Sequence, residues 1–349
     1  MKILIVCLDN LGDLVFSTAL IAPLRERFPD MTLGLWCKAY TAAISSCYPG
    51  EPVTYAANPI WDARPETGDA SYLTFFSALR AIRKARYDIA IIVGTNWRPA
   101  LCSWLAGINT LIGYASRKAA LFLSHAVSQP DRQKPVVSEL LRLLQPLHIR
   151  AEQGCYALDG SRVAPLEDFG ITTIPPGRYV AVHPFALSRR RCLPFGQWQE
   201  IIDRLADAGI RPVIVGTRSE QDHFARACPH LASQLFAAEH GITTLAQTVA
   251  LFAGAKAFIG HDSGPLHIAS ALGRPVFGLY LPGEPQRTFP QGRGAAEVFY
   301  RPTALEVTGT EVWQALARFL ETRVNSGLTP SSLPENRTSH AGASNHVLH

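Results

Sequence analysis

The sequence lacks most of the features that announce a chemistry at once. Its seven cysteines, Cys7, Cys37, Cys47, Cys102, Cys155, Cys192 and Cys228, are odd in number, scattered and without CxxC spacing. That excludes a disulfide framework and a zinc-type ligand set, and leaves reduced, cytosolic thiols as the expectation. No apolar run approaches the length of a spanning helix, and the run from Ile3 to Leu8 is too short for the core of a signal peptide. A chain that is soluble, or at most peripheral to a membrane, is therefore expected. There is no GxGxxG, no Gly-rich run with the lysine of a P-loop, and no Asp-x-Asp to chelate a diphosphate-bound metal. A large excess of one charge is also lacking: 33 basic residues against 28 acidic give +5 over 349 residues. That excess is too weak for nucleic acid by itself, but it suits anionic ligands or an anionic membrane surface.

What is present is an ordinary globular composition, 47% apolar and 17% charged, in a chain long enough for two cores. Lys2 to Leu8 is a continuous apolar strand of the kind buried on both faces of a parallel sheet. Residues 13–28 follow with helical spacing interrupted at Pro23, and Thr32 to Trp36 is a second strand. This strand-helix-strand opening predicts a doubly wound α/β sheet. Residues 71–86 form an amphipathic helix and Asp88 to Val93 the next strand. Residues 156–178 lose periodicity and are rich in Gly, Pro and Asp, which marks an interdomain linker after a first domain of residues 1–155. The alternation restarts at Tyr179 and continues through a helix over 309–323, giving a second domain of residues 179–324. Residues 325–349 are polar and are expected to be disordered, which makes a metal role for His340, His346 and His349 unlikely.

Four stretches carry candidate chemistry. Residues 257–278, AFIGHDSGPLHIASALGRPVFG, combine an apolar strand, a polar turn and a helix. Such a turn offers free backbone N–H groups and the positive end of a helix dipole to an anion, here a nucleotide diphosphate. Gly264 permits close approach, Pro265 suits the first helical turn, and His267 falls one turn into the helix. Asp262 can bind ligand or merely cap. The second stretch, Asp9-Asn10-Leu11-Gly12-Asp13, sits at the carboxyl end of the first strand, where ligands gather in open α/β sheets. Asp13 can accept a proton from an attacking hydroxyl or cap its helix; Asp9 and Asn10 can cap instead, which favours the chemical role, although the helix dipole weakens Asp13 as a base unless burial or a nearby acid offsets it. Third, His183 closes a strand and is followed by Ser188-Arg189-Arg190-Arg191, guanidinium forks suited to phosphate oxygens or a simply solvated run. Fourth, Glu220 in GTRSE can hold a ribose diol or begin a helix, and the local sequence does not choose.

Together these stretches resemble glycosyltransferase family nine, the ADP-heptose:lipopolysaccharide heptosyltransferases. HDSGPLHIASALGRPVFGLY is similar to the family's DSGPMH-type signature, and ILIVCLDNLGDLVFSTALIAPLRERFPD to its LGD motif and first helix. HPFALSRRRCLPFGQWQEII resembles its HPGA segment and VGTRSEQD its G-x-x-x-E turn, in matching order over roughly residues 1–320. The resemblance implies a GT-B architecture, two Rossmann-like domains facing across a cleft, and an inverting, metal-independent transfer without cofactor. It implies a nucleotide-sugar donor, ADP-heptose, on the second domain and a lipid-linked or glycan acceptor on the first, with Asp9, Asn10 and Gly12 on the acceptor side. By the same resemblance Asp13 matches the catalytic base and Arg191 stands where a Lys neutralises the leaving diphosphate. Glu220 matches the ribose-binding acid, and His183, Asp262, Ser263, Gly264 and His267 the donor contacts. A cytoplasmic enzyme with peripheral contact at the inner face of the cytoplasmic membrane, and no nucleic-acid partner, follows.

The departures are Phe185 where the family has Gly, Leu193 where Trp is usual, Arg191 for Lys, and HGITTLAQ, which lacks the Lys of the nucleotide-side segment. They leave the donor sugar and nucleotide open. A noncatalytic nucleotide-sugar-binding module and a nucleotide-sugar epimerase of the same architecture remain the alternatives.

Overall fold

The computed structural model describes residues 1–62, 71–186, 188–236, 240, 244–324 and 347–348. The chain divides into two units, Met1–Arg162 and Val163–His349, a boundary that falls inside the stretch whose periodicity fails.

In the first unit the chain runs β1 (Lys2–Cys7), α1 (Leu11–Ser17), α2 (Ile21–Arg27), β2 (Thr32–Cys37), β3 (Val53–Ala56), α3 (Tyr72–Ala85), β4 (Ile89–Ile92), α4 (Arg98–Leu105), β5 (Thr110–Tyr114), β6 (His125–Val127) and α5 (Val136–Leu141). The strands form one parallel sheet in the order β3-β2-β1-β4-β5-β6. β1 is central, and Ile3, Leu4, Ile5 and Val6 are buried, as its unbroken apolar run requires. The single helix expected over 13–28 is two, joined by a 3-10 turn at Thr18–Leu20. Pro23 has no N–H to give the carbonyl of Ala19 and its ring crowds that carbonyl, so the chain tightens one turn earlier. The inner face of α3 carries Phe75 and Ile82, which are buried, whereas Leu73 and Phe76 are exposed.

The second unit runs β7 (Tyr179–His183), α6 (Phe195–Asp207), β8 (Arg211–Ile214), α7 (Arg218–Ala227), α8 (Leu245–Gly254), β9 (Ala257–His261), α9 (Gly264–Ala271), β10 (Val276–Tyr280), α10 (Pro285–Thr288), β11 (Ala296–Tyr300), α11 (Gly309–Phe319) and β12 (Val347–Leu348). Its sheet is also parallel, ordered β12-β11-β10-β9-β7-β8. The expected last helix changes to a π-helical turn at Leu320–Val324. Of the expected disordered tail, only Val347 and Leu348 are among the described residues, and they pair with β11. His340, His346 and His349 lie outside the described residues.

Strand order fixes where ligands gather. In each sheet the winding reverses once, between β1 and β4 in the first unit and between β7 and β9 in the second. Crossovers leave to opposite faces there, which opens a crevice beyond the carboxyl ends of the two strands.

Candidate active site

The reversal in the second unit brings two of the sequence motifs together. His183 ends β7 and pairs with Gly260 of β9, so the His183 loop and the Asp262 turn leave the sheet side by side. Ser263 is the N-cap of α9, but its side chain does not cap the helix, because its hydroxyl turns back to the carbonyl of His261 at 3.1 Å. The helix therefore offers its positive end to the crevice.

Asp262 is the hub. Its Oδ1 lies 3.5 Å from Nε2 of His267, its Oδ2 accepts a hydrogen bond from the Thr288 hydroxyl at 3.2 Å, and Nη1 of Arg191 stands 3.9 Å from the same oxygen. Asp262 and His267 are nearly buried, whereas about half of the Arg191 side chain remains exposed. The structure thus gathers Arg191, Asp262, Ser263, Gly264 and His267 at one helix terminus: a carboxylate held by fixed partners, beside a guanidinium able to meet a phosphate oxygen. Thr288 was not legible in the sequence, because it belongs to the four-residue helix α10, which has no periodicity to find.

Beneath this cluster lies a second layer. Nε2 of the buried His261 accepts from the backbone N–H of Leu193 and from Nε1 of Trp198, both at 3.2 Å. Burial, and then neighbouring His183, lower the His261 pKa to about 3, so it stays neutral as an acceptor should. His183 is buried as well and burial lowers its pKa; its Nδ1 has no hydrogen-bond partner among the described residues. Phe185 covers it edge-on, with ring centroids 5.5 Å apart.

Phe185 also walls a cavity of about 890 Å³ with Leu193, Phe195, Arg190, Glu220 and Ala304. Glu220 faces this cavity, yet its Oε2 accepts from the N–H of Thr217 at 2.7 Å and from the Thr217 hydroxyl at 2.8 Å. It completes the capping box of α7, so the helix-starting role exists whatever its other oxygen does.

In the first unit the sequence candidates gather at the other reversal. Asn10 is the N-cap of α1, and Asp13 reaches back so that its Oδ2 accepts from the Asn10 N–H at 3.0 Å. Asp9 lies two residues past the end of β1, and Gly12 occupies the first turn of α1. Burial, then the charges of Asp9 and Asp13, push the Cys7 thiol well up, which shows both carboxylates near the end of β1. Gly94, just past β4, lies against this carboxylate: a Cβ at that position would fall 2.0 Å from Oδ2 of Asp9 and push that side chain aside. Among the described residues no group of three His, Cys, Asp or Glu side chains is gathered to hold a metal ion.

Comparison with known proteins shows the family to which the chain belongs. The family model for glycosyltransferase family 9 (heptosyltransferase) matches residues 75–304, well over half of the chain. The chain belongs to glycosyltransferase family 9. Lipopolysaccharide heptosyltransferase 2 of Escherichia coli (strain K12) is 24% identical over 314 residues, covering 83% of this chain and 85% of its own. E. coli heptosyltransferase WaaC with ADP superposes with a TM-score of 0.75 at 19% identity, over 91% of this chain and 100% of that one. E. coli ADP-heptose lps heptosyltransferase II superposes at 0.73 with 23% identity, over 92% and 99%. This family 9 glycosyltransferase therefore has the GT-B fold, two α/β units each built on a parallel sheet.

Proposed function

We propose that this enzyme is an inverting heptosyltransferase that moves a heptose from ADP-heptose to a lipopolysaccharide-core or similar glycan acceptor, at the inner face of the cytoplasmic membrane. The supporting observation is the cluster of Arg191, Asp262 and His267 at the uncapped start of α9. A departing nucleoside diphosphate gathers charge as its bond to the sugar breaks, and fixed guanidinium and backbone N–H groups stabilise that charge most in the transition state. Asp13 takes the proton of the acceptor hydroxyl as its oxygen attacks the anomeric carbon from the face opposite the diphosphate. The glycosidic C–O bond forms, the bond to the diphosphate breaks, and the electron pair leaves with ADP. Membership of the family and the ADP-heptose named for a structural relative support the donor.

The test is turnover of ADP-heptose with a heptose-deficient core acceptor, read by mass spectrometry with and without EDTA. An acceptor heavier by one heptose, formed equally in EDTA, is the expected product. Turnover of a different nucleotide sugar with ADP-heptose inert overturns the donor, and activity lost in EDTA and restored by magnesium overturns the metal-free chemistry.

A further inference from the structure

Nine large hydrophobic side chains are exposed among the described residues, and six of them, Tyr72, Leu73, Phe76, Trp104, Leu105 and Leu121, come from α3, α4 and the 3-10 turn at Ala119–Leu121. These three elements are neighbours. Nη1 of Arg83 on α3 donates to the carbonyl of Leu105 at 3.4 Å, and Trp104 lies 5.9 Å from Phe122 at the end of the 3-10 turn. Leu73 is 85% exposed and Leu121 77%, values for which no fold requirement within the unit accounts.

The charge around them has one sign. From Ser71 to Pro130 the sequence holds seven Lys or Arg (Arg80, Arg83, Lys84, Arg86, Arg98, Arg117 and Lys118) and one acid, Asp88, so +7 and −1 leave +6 where the whole chain has +5. Asp88 is already engaged, its Oδ2 accepting from the N–H of Lys2 at 2.7 Å. These elements thus put aromatic and aliphatic side chains outward beside long cationic ones, the composition of a helix that lies in a lipid interface. A protein partner that recognised the apolar residues alone gains nothing from this charge; an anionic bilayer is matched by both.

We infer that the face made by α3, α4 and the 119–121 turn docks on an anionic lipid surface, with Tyr72, Leu73, Phe76 and Leu121 entering the headgroup region and Arg80, Lys84 and Arg117 meeting lipid phosphates. The docking does not depend on which sugar is transferred. It deepens the proposed membrane location by assigning the surface, and by assigning apolar insertion as well as charge.

The test is co-sedimentation of the whole protein with phosphatidylcholine vesicles, with and without phosphatidylglycerol. Binding is expected only with phosphatidylglycerol, and weaker as salt rises. Leu73→Asn with Phe76→Asn should lower partitioning about tenfold or more, as should Arg80→Gln with Lys84→Gln and Arg117→Gln. All five side chains are exposed, so melting temperatures and turnover of a water-soluble acceptor should stay unchanged. No pelleting at low salt, or pelleting indifferent to both sets, overturns the inference. So does a dimer in sedimentation velocity that Leu73→Asn with Phe76→Asn dissociates, since a second copy would then be what covers this face. Turnover of the soluble acceptor reports the transferase reading separately, so the two can fail independently.

Discussion

Nη1 of Arg191 stands 3.9 Å from Oδ2 of Asp262, close enough to feel its charge and too far to be bound by it. The guanidinium is therefore steered toward the start of α9 while its hydrogen-bond donors stay available to a phosphate. Arg191→Ala should lower kcat by about a hundredfold or more, with a much smaller loss of donor affinity, because its partner charge grows only as the bond breaks. Arg191→Lys should recover part of it. Steady-state kinetics beside donor titration calorimetry separates the two effects, and an unchanged kcat in the alanine variant would remove Arg191 from the mechanism.

Asp13 holds the cap of α1 and is the proposed base, and the two roles can be separated. Asn keeps an oxygen for the Asn10 N–H but cannot take a proton. Asp13→Asn should reduce turnover by about 10²–10⁴ while donor affinity and melting temperature hold. Asp13→Ala should lose the same activity and in addition about 1 kcal/mol of stability with the cap. Near wild-type turnover in Asp13→Asn would falsify the base assignment.

The ring of Phe185 presses on Gly216, where an added Cβ would meet it at 2.6 Å. Gly216→Ala should therefore destabilise the protein by about 1–3 kcal/mol through overpacking, and Phe185→Ala by about 3–5 kcal/mol through the void it leaves. Combined, they should cost clearly less than their sum, because each relieves the other's fault. Urea unfolding of the four proteins closes the cycle; strict additivity would mean the two residues do not share this space.

The neutral histidines predict an acid weakness. An unfolded His261 binds a proton below about pH 6.5, whereas the folded one resists until about pH 3. Between these values the unfolded chain holds the extra proton, so stability falls as pH falls, at about 1.4 kcal/mol per pH unit for each such histidine once well below pH 6.5. His183, also lowered, adds in the same direction. Urea midpoints should drop from pH 7 to pH 5, and His261→Gln should flatten that slope. A slope identical in both proteins counts against His261 as its source.

Much of this was written in the sequence, for identifiable reasons. β1 and β7 are buried on both faces, so their apolar runs were continuous and unmistakable. The edge strand β3 is not legible in the sequence because its residues are only partly buried and its pattern carries little contrast. In α3 the spacing marked a helix correctly, but Phe75 and Phe76 are adjacent aromatics and spacing cannot say which one turns inward. The turn at Asp262-Ser263-Gly264 was visible as strand, polar turn and helix. Its partner Thr288 and the tie from His261 to Leu193 were not, since both join residues far apart in the chain.

That tie has a consequence for anyone exchanging parts between relatives. Leu193 is two residues after Arg191, and His261, which receives its N–H, is one residue before Asp262. The arginine loop is thereby indexed to β9 by a single acceptor atom, so the spacing between guanidinium and carboxylate is set from below, by the sheet, and not by the loop's own sequence. A graft of residues 184–194 from another family 9 glycosyltransferase should keep its register only if a hydrogen-bond acceptor travels with it at position 261. Modularity at this site ends where the loop meets the strand.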